Sequence, residues 1–289
     1  MDTNSFSETH SILGLDIVRI VVGVAGVVSN VVLFIANNRR NDEISTDREL
    51  FTLTILLDLA QAMQIICATV VRIVSPGTAV DGSVWCAFSY ILGHTTAVTS
   101  INMVALLSLM RYLSIVRGYK QRTRFWVAVG FALLTALCAL DLARVANIIL
   151  HVSPSSMYCA PFGMGSALQV LLSYINFIVF VSPMVVIPIC YLMVGLFYRR
   201  TYINMHGGEL PQVVRRRLLG LLIITAGYSI AILPKCISII LRTFNKAASP
   251  TFDAWFAILF SLVPIINAMF PLLFHQEVRN AAPTIFRNK

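Results

Sequence analysis

Seven long apolar segments, separated by short polar or Pro/Gly-containing links, dominate the sequence. They cover residues 13–36, 50–74, 84–112, 126–150, 166–198, 213–241 and 252–274. A helix needs about 20 predominantly apolar residues to cross the hydrocarbon core of a membrane, and each segment is long enough to do so. None of them alternates apolar and polar residues as the strands of a membrane β-barrel do. The sequence therefore predicts an all-α bundle of seven transmembrane helices.

The composition agrees with a membrane protein and leaves little room for a separate soluble domain. Apolar residues make up 57% of the chain and charged residues 12%, against about 45–50% and about 25% in soluble domains. Residues 1–12 are polar and lack the pattern of a cleaved signal peptide, so we expect them to form a short extracellular N-terminus. Residues 275–289 are expected to form a short cytoplasmic tail.

The chain has a net charge of +9, and its basic residues are concentrated on one side of the predicted bundle. The first, third and fifth links, the segment ends beside them and the C-terminal tail carry sixteen of the twenty-two Lys and Arg residues. Cytoplasmic loops are enriched in Lys and Arg, so this side is predicted to be cytoplasmic and the N-terminus extracellular. Nucleic acid is not an expected partner, because basic nucleic-acid binders carry their charge on a polar surface. We expect a multi-pass protein of the plasma membrane whose helices contact the lipid bilayer.

Two of the six cysteines are predicted to lie on the extracellular side. Cys86 precedes Arg111 by 25 residues of one helix, about 37 Å at the helical rise, so the two residues lie on opposite sides of the bilayer. Cys159 is the only other cysteine in an extracellular link, and the oxidising exterior favours a Cys86–Cys159 disulfide. The cysteines show neither a CxxC spacing nor a nearby histidine pair, which argues against a zinc site.

Motifs in six of the seven segments are similar to those of the rhodopsin-like family of G-protein-coupled receptors, and the resemblance covers essentially all seven spans. The residues that carry the resemblance are Asn30 in the first segment, Asp58 in the second, Cys86, Ser100 and Arg111-Tyr112 in the third, Pro183 and Tyr191 in the fifth, Pro234 in the sixth and Asn267 in the seventh. The chain departs from the family's pattern at several positions. Met110 replaces the acid before the arginine, Ile232 replaces the tryptophan of the sixth helix, and Asn267 alone remains of the usual Asn-Pro-x-x-Tyr. The departures indicate a divergent subfamily.

The resemblance implies a receptor that binds an extracellular ligand and signals through a heterotrimeric G protein. It implies that Arg111, Tyr112 and Tyr191 take part in coupling to the G protein. No retinal is expected as a cofactor, because residues 252–274 contain no lysine for a Schiff base.

A sodium ion bound by Asp58 and Ser100, with Asn267 close by, is also implied by the resemblance. Oxygen ligands suit such a hard cation. The helical rise separately places Asn30 and these three residues in one layer, about 9–16 Å from the cytoplasmic ends of their helices. The alternative is a water-filled polar cluster without a metal.

A second polar layer, near the extracellular ends, is predicted to contact the ligand. Lys235 and Arg144 lie about 9 Å, and His94 about 12 Å, from the outer ends of their helices, the depth at which the family binds diffusible ligands. Lys235 either presents its ammonium to an anionic or carbonyl-bearing ligand or snorkels outward. Asp141 and Arg144, three residues apart on one helix face, either contact the ligand or neutralise each other. Residues 92–95 contain no acid, which disfavours a simple amine as the ligand.

A membrane transporter and a non-signalling membrane protein are the alternative functions. Transporters are often built from inverted repeats with Gly/Pro-broken helices in matched positions, whereas the prolines within these segments all lie in the last three. No Ser/His/Asp arrangement or metal-ligand cluster in the sequence points to an enzyme. The sequence favours the receptor.

Overall fold

A computed structural model describes residues 3–38, 46–75, 78, 80–119, 122–153, 155–161, 166–206, 212–243 and 249–274. This part of the chain is almost entirely helical. In chain order its elements are α1 (Thr3–Asn38), α2 (Thr46–Val74), α3 (Val84–Val116), α4 (Thr123–Asn147), β1 (Leu150–Val152), β2 (Cys159–Pro161), α5 (Ala167–His206), α6 (Gln212–Thr243), α7 (Pro250–Ser261) and α8 (Val263–Phe274).

Seven long segments form one bundle, as predicted. Six of them, in α1 to α5 and in α7 with the start of α8, are long and apolar enough to cross a membrane. The remaining one, α6, has 32 residues and packs against α5, α7 and α8. The described residues therefore form an all-α bundle of seven long segments, with one short hairpin of strands.

The seventh segment differs from the single helix that the sequence predicts over 252–274. Its two parts, α7 and α8, are separated at Leu262. Pro264 lies in the first turn of α8, where its missing N–H and fixed φ are tolerated, whereas within one continuous helix it could not donate to the carbonyl four residues earlier. At the other end, Ser249 caps α7 by accepting a hydrogen bond from the N–H of Phe252 at 3.3 Å.

The fourth helix is displaced by three residues from the predicted 126–150, because α4 spans Thr123–Asn147 and Ile148 is extended (φ −128°, ψ 129°). The chain then enters an antiparallel hairpin in which Val152 of β1 pairs with Cys159 of β2. The sequence predicts only a link here. Ile148, Ile149 and Val152 are β-branched residues, which favour extended backbone.

Two glycines bring α1 and α2 close together. A Cβ atom on Gly23 would lie 2.7 Å from Cγ1 of Ile66, and one on Gly26 would lie 3.2 Å from Cβ of Ala62. Small residues allow transmembrane helices to approach in this way. The contact fixes α1 beside α2, where both helices reach the cavity described below.

The core lies between α3, α5, α6 and α8, and it includes Val98, Ile101, Phe180, Ile232 and Val263. Large apolar side chains also point away from the bundle. Val21 of α1, Phe131 of α4 and Ile178 of α5 are each more than half exposed. An apolar outer face matches the hydrocarbon of a bilayer, where all backbone polar groups are satisfied within the helices.

Candidate functional site

The predicted disulfide between Cys86 and Cys159 is present, with a Cα–Cα distance of 5.5 Å. Cys86 lies in the first turn of α3, where the Ser83 hydroxyl accepts a hydrogen bond from its N–H at 3.1 Å. Both cysteines are buried, in a cluster with Tyr90 and Leu150. The bond holds the β1–β2 hairpin against α3, and we call this end of the bundle the disulfide end.

Asp81 anchors the same hairpin from the α2–α3 link. Its Oδ1 accepts a hydrogen bond from the N–H of Val152 at 2.6 Å, and its Oδ2 lies 2.9 Å from Nδ1 of His151. The backbone hydrogen bond from Val152, followed by the contact with His151, lowers the pKa of the Asp81 carboxyl. The charged form of Asp81 is therefore the one that fits the folded hairpin.

A cavity of about 90 Å³ opens at the disulfide end between α1, α2, α3, α7 and the hairpin. Its polar lining residues are Arg19, Gln61, Gln64, Ser89, Tyr90, His94, Tyr158 and Ser261. Its apolar lining includes Ile65, Met157, Phe256 and Phe260. The described lining contains two basic side chains and no acidic one. Apolar walls with a few polar groups are typical of small-molecule sites.

Arg19 is the buried cation of this cavity, with only 5% of its surface exposed. Its Nη1 donates to the carbonyl of Met157 at 2.8 Å, and its Nε is buried without a hydrogen-bond partner in the described structure. Gln61 is 2% exposed, and its side-chain carbonyl oxygen is likewise buried without a hydrogen-bond partner in the described structure. The sequence interpretation did not select either residue for a ligand site.

The acids near Arg19 are bonded to other groups. Asp16, one turn earlier on α1, forms an ion pair with Arg72 of α2. Asp253 of α7 accepts hydrogen bonds from the hydroxyls of Tyr158 and Ser155, the latter at 2.6 Å. Asp16 therefore connects α1 to α2, and Asp253 connects α7 to the hairpin.

Three of the predicted ligand residues belong to a polar network between α3 and α4. Oδ2 of Asp141 accepts a hydrogen bond from the hydroxyl of Thr95 at 2.7 Å and lies 2.9 Å from Nδ1 of His94. Arg144 donates to the hydroxyl of Tyr90, which donates in turn to Oδ1 of Asp141 at 3.3 Å. Nη1 of Arg144 is 3.8 Å from that Oδ1, so the two charges are neighbours. Of this network, His94 and Tyr90 also line the cavity.

Lys235, the fourth predicted ligand residue, belongs to α6, but its side chain lies outside the described residues. Its proposed contact with the ligand stays a prediction.

The predicted sodium residues lie together in the middle of the bundle. Oδ1 of Asp58 accepts hydrogen bonds from Oγ of Ser100 at 2.6 Å and from Nδ2 of Asn267 at 2.8 Å. Nδ2 of Asn267 is also 2.7 Å from Oγ of Ser100, and its Oδ1 accepts from the hydroxyl of Tyr228. We call Asp58, Ser100, Asn267 and Tyr228 the core polar cluster. It joins α2, α3, α6 and α8.

Asn30 is close to this layer but outside the cluster. Its Nδ2 donates to the carbonyls of Gly26 at 2.9 Å and of Pro264 at 3.1 Å, which ties α1 to α8. Tyr228 was not singled out from the sequence. The spacing of residues in an apolar helix does not show whether a tyrosine hydroxyl is buried with a hydrogen-bond partner or lies at the membrane interface.

The predicted coupling residues lie at the opposite end, which we call the arginine end. Nη1 of Arg111 on α3 donates to the hydroxyl of Tyr191 on α5 at 3.4 Å. The hydroxyl of Tyr112 accepts from Nε of Arg117 at 3.1 Å. Met110 packs against Leu50, Leu107 and Trp126. Arg111 and Tyr191 are therefore brought together, while Tyr112 forms a separate pair.

Residues 29–273 match the family described as 7 transmembrane receptor (rhodopsin family). The match covers most of the chain, including the disulfide, the core polar cluster and Arg111. No curated protein matches the chain.

Proposed function

The chain belongs to the rhodopsin family of seven-transmembrane receptors, and we propose that it is a plasma-membrane receptor that couples an extracellular ligand to a heterotrimeric G protein. The ligand enters the cavity at the disulfide end, which faces outside. The arginine end faces the cytoplasm and receives the G protein. No catalytic role is proposed for the chain.

A direct connection along the chain between the cavity and the core polar cluster carries this proposal. Ser261, the last residue of α7, lines the cavity, and α8 begins two residues later. Asn267 of α8 contacts Asp58 of α2 and Tyr228 of α6. A ligand that moves α7 therefore acts on a hydrogen-bonded junction that includes α6. Differential binding to two packings of such a bundle is the physical basis of signalling.

Guanine-nucleotide exchange tests the proposal directly. The purified protein in lipid nanodiscs is mixed with heterotrimers of each Gα class, and exchange is measured without ligand and with a library of extracellular metabolites and peptides. We expect exchange above that of empty nanodiscs for at least one Gα class. Arg111→Ala should lower this exchange, whereas Arg122→Ala, a matched loss of an exposed arginine at the same end, should not. The function is wrong if every combination equals the empty nanodiscs.

Sodium in the core polar cluster is a second element of the proposal. Asp58 and Ser100 supply a carboxylate and a hydroxyl oxygen, the hard ligands that sodium requires. Asn267 presents its amide nitrogen to them and its oxygen to Tyr228. In this arrangement Asn267 acts as a donor that orients Asp58, and the ion's direct ligands would be Asp58 and Ser100.

A further inference from the structure

We propose that the cavity at the disulfide end binds a small organic carboxylate and that Arg19 is the residue that recognises it. The proposal rests on the proposed function, because it names the ligand class of that receptor's site. Three features of the cavity support it: the state of Arg19, the absence of acids in the described lining, and the shape and chemistry of the remaining walls.

The first feature is the incomplete bonding of Arg19. A guanidinium group carries five N–H donors in a planar fork. The described structure gives Arg19 one hydrogen bond, to the carbonyl of Met157 at 2.8 Å, and leaves its Nε buried without a partner. A buried charge and an unpaired buried donor both cost free energy. A carboxylate that accepts from this fork through both oxygens would satisfy the donor and neutralise the charge.

The second feature is the sign of the charge around the cavity. Its described lining includes Arg19 and His94 and no Asp or Glu. Asp16 forms an ion pair with Arg72, and Asp253 accepts hydrogen bonds from Tyr158 and Ser155. Both nearby acids therefore already have partners, and neither of them is among the described residues that line the cavity. A cationic ligand would meet Arg19 without a lining acid to pair with, so the site selects an anion.

The third feature limits the rest of the ligand. The cavity holds about 90 Å³, against about 300–1,000 Å³ for sites that take drug-sized molecules. Phe256 and Phe260 supply an apolar wall, and the buried carbonyl oxygen of Gln61 needs a hydrogen-bond donor. A carboxylate with a few carbon atoms and one hydroxyl or amide N–H meets all of these conditions. Inorganic phosphate has no apolar part for the aromatic wall.

Thermal stability of the purified receptor in nanodiscs tests this class without a G protein. The probes are lactate and N-acetylglycine, their neutral counterparts lactamide and N-acetylglycinamide, and inorganic phosphate. We expect the two carboxylates to raise Tm with a saturable dependence on concentration, and the amides and phosphate to leave it unchanged. Arg19→Gln should weaken carboxylate binding by about 10- to 100-fold, as for loss of a charge-assisted hydrogen bond. Arg122→Gln should not change it.

Gln61→Met keeps the test decisive if Arg19→Gln does not fold. It removes a buried carbonyl that has no partner, so the Tm without ligand should stay the same or rise, while affinity for lactate falls. Arg19→Lys should retain part of the binding because it keeps the charge. The inference is wrong if amides and carboxylates stabilise the receptor equally, or if Arg19→Gln and Gln61→Met bind the carboxylates as the wild type does. The proposed receptor function would still hold in that case if a different ligand stimulated nucleotide exchange.

Discussion

Met110 and Arg111 are neighbours in sequence, but their side chains have different surroundings. Met110 is buried with Leu50, Leu107 and Trp126. An acid at position 110 would therefore be buried among apolar side chains, which is costly. Tyr191 of α5 instead supplies the oxygen that Arg111 contacts. We therefore expect this hydroxyl to restrain Arg111, which has Met110 before it where the family's pattern has an acid.

Tyr191→Phe should raise nucleotide exchange in the absence of ligand. The substitution removes the hydroxyl that accepts from Arg111 at 3.4 Å and keeps the buried ring. A contact worth about 1 kcal/mol in the resting packing corresponds to a rise of about fivefold. The measurement is basal exchange in nanodiscs with the coupled heterotrimer. Tyr174→Phe, on the exposed face of the same helix, is the matched control. Unchanged or lower exchange in Tyr191→Phe would mean that other contacts restrain Arg111.

Arg19 illustrates what sequence reasoning misses at the scale of single residues. The chain places Asp16 and Arg19 three residues apart near one end of an apolar helix, a pattern typical of a local ion pair. The ion pair forms instead between Asp16 and Arg72 of α2. The partner choice depends on how α1 meets α2, which no local pattern contains. An ionisable residue within a transmembrane segment is the one signal that could have drawn attention to Arg19.

At the scale of elements, the disulfide fixes the hairpin that covers the cavity. Cys86 and Cys159 are 73 residues apart in sequence, and closing such a loop contributes about 4 kcal/mol in the chain-entropy account. The double substitution Cys86→Ser with Cys159→Ser should lower the Tm of the purified receptor by several degrees. Cys67→Ser, which removes an exposed free thiol of α2, is the control. Equal melting of wild type and double variant would show that the bond adds no stability to the fold.

Asp81 makes the hairpin sensitive to acid. Its lowered pKa means that the carboxylate stabilises the hairpin fully above the unfolded value of about 3.9, and that this contribution is lost as the pH falls through the lowered folded value. The protection factor of the Val152 amide, measured by hydrogen exchange, should therefore fall below about pH 4. In Asp81→Asn it should already be lower at neutral pH and show no such step. A step of equal size in the variant would assign the acid sensitivity to another group.

The helical elements were largely predictable, and the hairpin was not. Long apolar segments identify transmembrane helices because the hydrocarbon thickness sets their length. Pro264, preceded by Val263, marks the start of α8 in the sequence, although length alone suggested one helix. The three-residue strands β1 and β2 depend on the disulfide and on Asp81, whose contacts join distant parts of the chain.

At the scale of the whole molecule, the core polar cluster is where sodium would act. Sodium that binds the folded receptor with a Kd of about 15 mM would add about 1.4 kcal/mol at 150 mM. The Tm in sodium chloride should therefore exceed that in choline chloride at the same ionic strength. The difference should disappear in Asp58→Asn and persist in Asp81→Asn, an exposed acid outside the bundle. If the wild type has the same Tm in the two salts, the core polar cluster does not bind sodium.

The bundle and its central layer followed from the sequence because depth along a helix is a matter of counting residues. Asp58, Ser100 and Asn267 meet as that counting and the family resemblance predict. The side-by-side packing of the helices cannot be obtained by counting residues. This packing determines that Asn267 turns its amide nitrogen to Asp58 and that Tyr228 of α6 joins the cluster. Neither is encoded in the spacing of residues within one helix.

The order in which the cluster is completed has a consequence for synthesis of the chain. Asp58 and Asn267 are 209 residues apart, which a ribosome covers in roughly 10 to 40 s at 5–20 residues per second. Through that interval α2 carries an acid near its middle, a position that disfavours insertion of a lone helix. Ser100, only 42 residues later, is the earlier of its two partners to emerge. A chain that stops before α8 therefore leaves this acid with its hydroxyl donor but without its amide donor.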